Sequence, residues 1–251
     1  MDKSVCIDVG LHDTVVVTGG STGIGAAICK AFLQSGLRVV NLSRRPLEGC
    51  SEGLVNVEVD LSDRKQTEKA ALKVAAEHSV TGFVHNAGLI RPSKIEAVDL
   101  DDYYHLGQVH IGAAITLSQA FLPNMKAGGF GRIVLITSRA ALGLSDRTSY
   151  TATKSGMMGM ARTWALELGA SGITVNTVAP GPIEDTEMFE SVMTGDTQRT
   201  DALKNSIPVK RLGRSGDVAN AVMFFCSDKA GFITGQTLMV CGGASLGSLA
   251  L

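Results

Sequence analysis

Short runs of β-branched and apolar residues recur along the chain, bounded by Gly, Asn or Asp, and segments long enough for helices separate them. The runs at 14–18, 38–42, 55–59, 82–86, 133–137, 173–178 and 237–240 read as seven strands; 23–35, 63–78, roughly 100–125, 149–170 and 215–226 read as helices. Asp63 in "SD" and Ser215 in "SG" resemble helix starts. Strands of continuous apolar character need cover on both faces, and intervening helices supply it. The expectation is therefore an α/β chain with a doubly wound, Rossmann-like, mainly parallel sheet and helices on either side. With 251 residues and 45% hydrophobic content, the chain has material for one large core. No repeat, low-complexity tract or Pro/Ser linker divides it, so 1–251 reads as one domain. Ligands in such folds bind at the carboxyl ends of the strands. The rhythm breaks at 180–214, where EDTEMFESVMTGDTQRT follows the sixth strand. Its length suits a lid or substrate loop, and its composition suits a mobile surface insertion equally well.

Charge and cysteine usage exclude several classes. Twenty-three Lys and Arg against 24 Asp and Glu leave a net charge of −1, with no run of five like charges, so neither a nucleic-acid partner nor a polybasic membrane anchor is expected. The five cysteines, at 6, 29, 50, 226 and 241, are dispersed and never form C-x-x-C or join clustered histidines; they read as reduced thiols, with no metal site. The stretch MDKSVCIDVG has no apolar core of a signal peptide, and no segment approaches 18 uninterrupted apolar residues. A cytoplasmic enzyme or binding protein is the expectation that remains.

Residues 15–25, VVVTGGSTGIG, run from a buried strand through a glycine-rich turn into a helix. Glycines allow close backbone approach, and the helix start offers N–H groups and a positive dipole end to a dinucleotide pyrophosphate. The spacing is T-G-x-x-x-G-x-G through Gly19, Gly23 and Gly25, not the common G-x-G-x-x-G. About 20 residues on, the second strand ends in NLSRR, with Ser43, Arg44 and Arg45 where an NAD enzyme usually offers a carboxylate to the ribose 2′-hydroxyl. A hydroxyl and a guanidinium can bind a 2′-phosphate, so NADP(H) is favoured, with NAD(H) as the alternative. Ordinary solvated arginines after a strand are the bland reading.

"SYTATK", 149–154, sets Tyr150 and Lys154 one helical turn apart. Both normally titrate near pH 10, so the pair is either packing or a proton-transfer device. With the glycine loop and strand order beside it, the chain resembles the short-chain dehydrogenase/reductase (SDR) family over nearly its whole length. Four motifs carry the resemblance: the loop at 18–25, HNAG at 85–88, the Y-x-x-x-K of Tyr150 and Lys154, and VAPGPIEDTEM at 178–188. Among SDR members it is similar to 3-oxoacyl-ACP reductases and secondary-alcohol dehydrogenases.

The resemblance implies a hydride-transferring oxidoreductase acting on a ketone or secondary alcohol, with Tyr150 as general acid/base, Lys154 as the cation that tunes it, and Ser138 as the hydroxyl that orients the carbonyl. Thr137 is the alternative hydroxyl. It implies a cofactor frame of Gly19, Ser21, Thr22, Gly23, Ile24 and Gly25, then Ser43 and Arg44, then Asp60 and Leu61 at the adenine. Asn86, Ala87 and Gly88 would line the ribose, Tyr150 and Lys154 would touch the nicotinamide half, and Pro180, Gly181, Ile183 and Thr186 would follow. Asp60 could instead cap the following helix. One departure stands out: His110 occupies the place where the family's asparagine completes a tetrad. His110 could preserve a proton relay through its backbone, which is the favoured reading, could alter its pH response because imidazole titrates near neutrality, or could weaken catalysis. The last option motivates the alternative of a nucleotide-binding scaffold or sensor. His85 and His105 carry no motif and read as structural. The resemblance also implies a homotetramer built on the helices at 100–125 and 149–170 and on the last strand with its VCGGASLG tail.

Overall fold

The computed structural model describes residues 14–49, 52–193 and 195–246. The N-terminal stretch MDKSVCIDVG, Cys6, Cys50 and the end of the VCGGASLG tail lie outside the described residues. Strands β1 (Thr14–Thr18), β2 (Arg38–Ser43), β3 (Leu54–Glu58), β4 (Val80–His85), β5 (Gly131–Ile136), β6 (Ile173–Pro180) and β7 (Thr237–Val240) form one sheet in the order β3-β2-β1-β4-β5-β6-β7. Every pairing is parallel. Chain direction across the sheet reverses between β1 and β4, where β1 pairs with β2 on one side and β4 on the other.

Helices α1 (Gly23–Gln34), α2 (Arg64–Glu77), α3 (Leu100–Gly107), α4 (Ala113–Gly128), α5 (Thr148–Leu168), α6 (Glu187–Met193), α7 (Thr197–Ser206) and α8 (Ser215–Cys226) complete the architecture. Successive strand residues point to opposite faces, so Val15 and Val17 of β1 join the core beneath α1 and α8, while Val16 joins the core beneath α2, α4 and α5. That two-sided demand explains why β1 and β6 are buried along their whole lengths. Asp63 caps α2 by accepting from the backbone N–H groups of Lys65 and Gln66, whereas Asp60 binds Ser62, so the cap is Asp63 and not Asp60. Ser215 is the first residue of α8, one after its cap, Arg214.

Two expectations are refined. The helix anticipated over 100–125 is two helices joined by a π-helical turn, Gln108–Gly112, with His110 at its centre. The break in rhythm at 180–214 contains α6 and α7, followed by a segment that returns to the stretch after β6 through the isolated Ile183–Gly213 bridge. Cys226 and Cys241 are buried thiols. Among the described residues no helix is long and apolar enough to cross a membrane.

Candidate active site

The carboxyl ends of β1 to β6 open into one cavity of about 1190 Å³. Gly19 follows β1, Ser43 ends β2, Asp60 and Leu61 follow β3, Asn86 to Gly88 follow β4, Ser138 follows β5, and Pro180 and Gly181 close β6; all of them line it. So do Ser21, Thr22, Gly23, Ile24, Gly25, Arg44, Tyr150, Lys154, Ile183 and Thr186. Of the residues singled out in the sequence for the site, His110 alone stands behind the wall, fully buried.

The glycine loop is held by close packing. A Cβ at Gly25 would lie 2.0 Å from the Gly19 carbonyl oxygen, and Gly19 itself has φ +63° with its would-be Cβ 2.9 Å from Ala87 Cα. Side chains there would push strand and helix apart. Asn86 explains the HNAG motif: its Nδ2 donates to the carbonyls of Thr18 (3.2 Å) and Gly19 (3.0 Å), locking the turn after β4 against the loop after β1. Thr18 Oγ1 accepts the N–H groups of Asn86 and Ala87, both at 3.0 Å. Asn41, which sequence reasoning did not single out, accepts from Gly20 N–H (3.0 Å) and from the Ser43 hydroxyl (2.7 Å). At the start of α1, Thr22 makes no side-chain cap and the first turn holds no acidic residue. Its N–H groups and dipole are thus left for an anion.

Arg45 crosses the cavity mouth to Glu187 at the start of α6, with Nη2 2.9 Å from both carboxylate oxygens. The hydroxyl of Ser21 donates to the Arg45 carbonyl. Gly23 and Thr186 are near neighbours, since a Cβ on Gly23 would meet Thr186 Cγ2 at 3.1 Å. The 180–214 segment thus meets the glycine loop directly at Gly23 and is tied to Ser21 only through Arg45.

Ser138 caps a short 3₁₀ turn, its Oγ accepting from Ala140 N–H (3.1 Å). Tyr150 and Lys154 project from the first turns of α5 and are almost wholly buried, at 6% and 3% exposure. Burial raises the Tyr150 phenol above its usual value, opposed by a hydrogen bond from Ser138 and by the charge of Arg147. Lys154 Nζ donates to the Ile136 carbonyl (2.8 Å) and lies 5.8 Å from the centre of the Tyr150 ring. Burial pushes this amine down to about 7.

His110 sits edge-to-face on Tyr150, ring centres 5.7 Å apart. Its Nε2 accepts from Leu89 N–H (3.2 Å), so the proton is on Nδ1, which donates to Thr153 Oγ1 (2.8 Å). Burial first, and then the charge of Lys154, drive this imidazole far below its ordinary titration range. Of the three options for His110, a changed pH response near neutrality is the one this burial disfavours, since the imidazole is held uncharged. His85 is structural, as its lack of a motif suggested, with Nδ1 accepting from Thr18 Oγ1 (3.0 Å) and Nε2 donating to the Val109 carbonyl of the π turn (3.1 Å). His105, by contrast, lines the cavity.

Sequence reasoning missed Arg139 and Arg147, which also line the cavity. The available signal was position: one follows Ser138 directly and the other precedes Tyr150 by three residues, close to one helical turn.

Residues 19–245 match the family model described as enoyl-(acyl carrier protein) reductase. The chain is 35% identical to the 3-oxoacyl-(acyl-carrier-protein) reductase FabG of Haemophilus influenzae, covering 92% of this chain and 97% of that one. It is 33% identical to the (2S)-[(R)-hydroxy(phenyl)methyl]succinyl-CoA dehydrogenase subunit BbsD of Thauera aromatica, covering 95% and 99%. A putative NAD(P)-dependent gluconate 5-dehydrogenase from Beutenbergia cavernae, solved with NADP, superposes with a TM-score of 0.86 at 30% identity, covering 94% of this chain and 97% of that one. Fold, cavity and relatives together define a Rossmann-type oxidoreductase. The chain belongs to the short-chain dehydrogenase/reductase family, whose enzymes use NAD(P) to interconvert CH–OH and carbonyl groups.

Proposed function

We propose that the protein is a single-domain, NADP(H)-dependent carbonyl reductase or alcohol dehydrogenase in which Tyr150 is the general acid/base. The observation that carries this reading is the convergence of Ser138, Tyr150 and Lys154 with the glycine loop in one cavity. The cradle fits a dinucleotide: glycine packing leaves no Cβ at Gly19 or Gly25, the α1 start lacks an anion of its own, and Arg44 and Arg45 flank the end of β2. NADPH, when bound, supplies hydride to the carbonyl carbon. Negative charge then grows on the carbonyl oxygen; the Ser138 hydroxyl orients that oxygen and Tyr150 gives it a proton. In the oxidative direction Tyr150 takes the proton back. Lys154 contributes a cation beneath the phenol, and binding a nucleotide's negative charge opposes the burial that lowers its pKa.

Ser43 donates its proton to Asn41, which leaves 2′-phosphate recognition to the guanidinium groups of Arg44 and Arg45. Asp60 and Leu61 would meet the adenine, Asn86 to Gly88 the ribose, and Pro180, Gly181, Ile183 and Thr186 the nicotinamide. His110 would act through position, tying the turn after β4 to α5 and keeping the π turn that carries the backbone of a proton relay. The scaffold reading loses its motive, because His110 is satisfied at both nitrogens without disturbing Tyr150. A homotetramer in the cytoplasm completes the proposal.

Purified protein, NADPH and a panel of ketones, 3-oxoacyl thioesters and quinones test the activity. Tyr150→Phe should reduce kcat by about 10²- to 10⁴-fold, the range of general acid catalysis, while NADPH binding persists. Turnover undiminished in that variant would remove Tyr150 from the chemistry.

A further inference from the structure

Five arginines, Arg45, Arg64, Arg91, Arg211 and Arg214, each hold a carboxylate, and all five side chains are at least half exposed. Solvent would satisfy those groups without help. Arg139 and Arg147 are more buried and line the cavity beside Ser138 and Tyr150, yet among the described residues neither has a carboxylate partner. Among the described residues Arg139 reaches only the Ala244 carbonyl, at a long 3.4 Å. Arg147 donates through Nη1 to the Asp146 carbonyl (2.9 Å), and its Nε is buried with no hydrogen-bond partner among the described residues. Leaving an arginine unpaired costs little where it is exposed, as at Arg38, Arg44, Arg162 and Arg199, and more where it is taken partly out of water, as at these two residues of one cavity wall.

The backbone also holds Arg147 in place at some cost. Asp146 adopts φ +61°, a left-handed conformation unfavourable for a residue with a Cβ. Its carbonyl is fixed by the N–H of Ser93 (3.0 Å), and Ser93 and Arg147 form an isolated bridge. The strained turn delivers a guanidinium to the cavity three residues before Tyr150.

We infer that Arg147 and Arg139 form a carboxylate subsite, and that the substrate is a short oxo acid whose carboxylate lies within a few bonds of the carbonyl held at Ser138 and Tyr150. This rests on the carbonyl-reductase reading of the same cavity. The planar guanidinium matches a carboxylate by paired N–H donation. Arg147 caps the helix that carries Tyr150, three residues before it, and lines the same cavity, which sets a short spacing between the two substrate groups. The overall step is oxo acid plus NADPH plus a proton, giving hydroxy acid plus NADP⁺, with the carbonyl carbon receiving the hydride and its oxygen the proton. An acyl-carrier thioester has no carboxylate there, so it would leave both arginines unused.

The test pairs short 2-, 3- and 4-oxo acids with their methyl esters and follows NADPH oxidation. The native enzyme should prefer the best acid over its ester in kcat/KM by roughly 10- to 100-fold, as a charge-assisted hydrogen bond predicts. In Arg147→Gln that ratio should collapse to within about threefold, and Arg147→Lys should restore part of it. Arg139→Gln should lower the ratio less. Equal use of acid and ester by the native enzyme, better use of a 3-oxoacyl thioester than of any acid, or an unchanged ratio in Arg147→Gln would each overturn the inference while leaving carbonyl reduction intact. Should no carbonyl compound turn over, the reductase reading fails separately. Calorimetric titration of malonate into the NADP⁺-loaded protein then decides the subsite: saturable binding lost in Arg147→Gln supports it, and no binding refutes it.

Discussion

His110 is enclosed by Leu89, Thr153 and the ring of Tyr150, and each of its nitrogens has one partner. Removing it strands the Leu89 N–H, takes a donor from Thr153 Oγ1 (which keeps its bonds to the Ser149 and Tyr150 carbonyls) and opens a buried void, so His110→Ala should lower unfolding free energy by about 2–4 kcal/mol in a denaturant titration. His110→Asn, which can keep one of those bonds, should lose less. Because burial keeps the imidazole neutral, the activity profile of His110→Asn near neutral pH should overlay that of the parent. A separate limb near pH 6.5 in the parent alone would contradict that. Lys154 behaves otherwise, since its value near 7 lies in the working range. In a ¹³C-labelled sample its side-chain carbon should titrate near pH 7 and move upward when NADP⁺ is added. Tyr150, Lys154 and Ser138 were legible because their spacing is local. The charge state of His110 was not, because the ordinary imidazole pKa holds in water and nothing in HIGAAITL states that water is excluded. Arg147 was hidden for a related reason: an arginine between an aspartate and a threonine reads as surface until its turn is folded.

At the level of elements, the strands came through because burial on both faces leaves unbroken apolar runs. Their ends shifted by one or two residues where β4 and β5 give way to turns that bond across the sheet, as with Asn86 and Thr137. The π turn at 108–112 had no such signal, since its residues suit an ordinary helix and what marks it is the tertiary bond from His85 to Val109. Helices α6 and α7 were equally opaque, being short and largely polar on their outer faces. Their position makes the Arg45–Glu187 pair informative. Both groups are about 60% exposed, so Glu187→Gln should change stability by less than about 1 kcal/mol. Releasing Arg45 from its carboxylate should instead favour the extra phosphate. The ratio of NADH to NADPH dissociation constants should rise about threefold, a gain equivalent to a fraction of one charge-assisted bond. An unchanged or lower ratio would mean that Arg45 serves only the lid.

For the whole molecule, the buried imidazole of His85 couples the site to acid stability. Burial, and then the charge of Lys154, lower it to about 3 against an ordinary value of 6.5. Between these limits the unfolded chain binds the extra proton, so stability is complete above about pH 6.5 and is lost as pH falls toward 3. His85→Gln should flatten that limb by on the order of a few kcal/mol in denaturation midpoints followed across pH. An equally steep limb in the variant would assign acid sensitivity to other groups. The reversal of strand order between β1 and β4 has a further consequence, one of timing. Synthesis runs from the amino end, so strands β1 to β4 and the glycine loop leave the ribosome before Ser138, Tyr150 or Lys154 exist as peptide. The exposed flank of β4 must then wait for β5, and during that interval the half-made sheet presents an unpaired, apolar edge to everything around it.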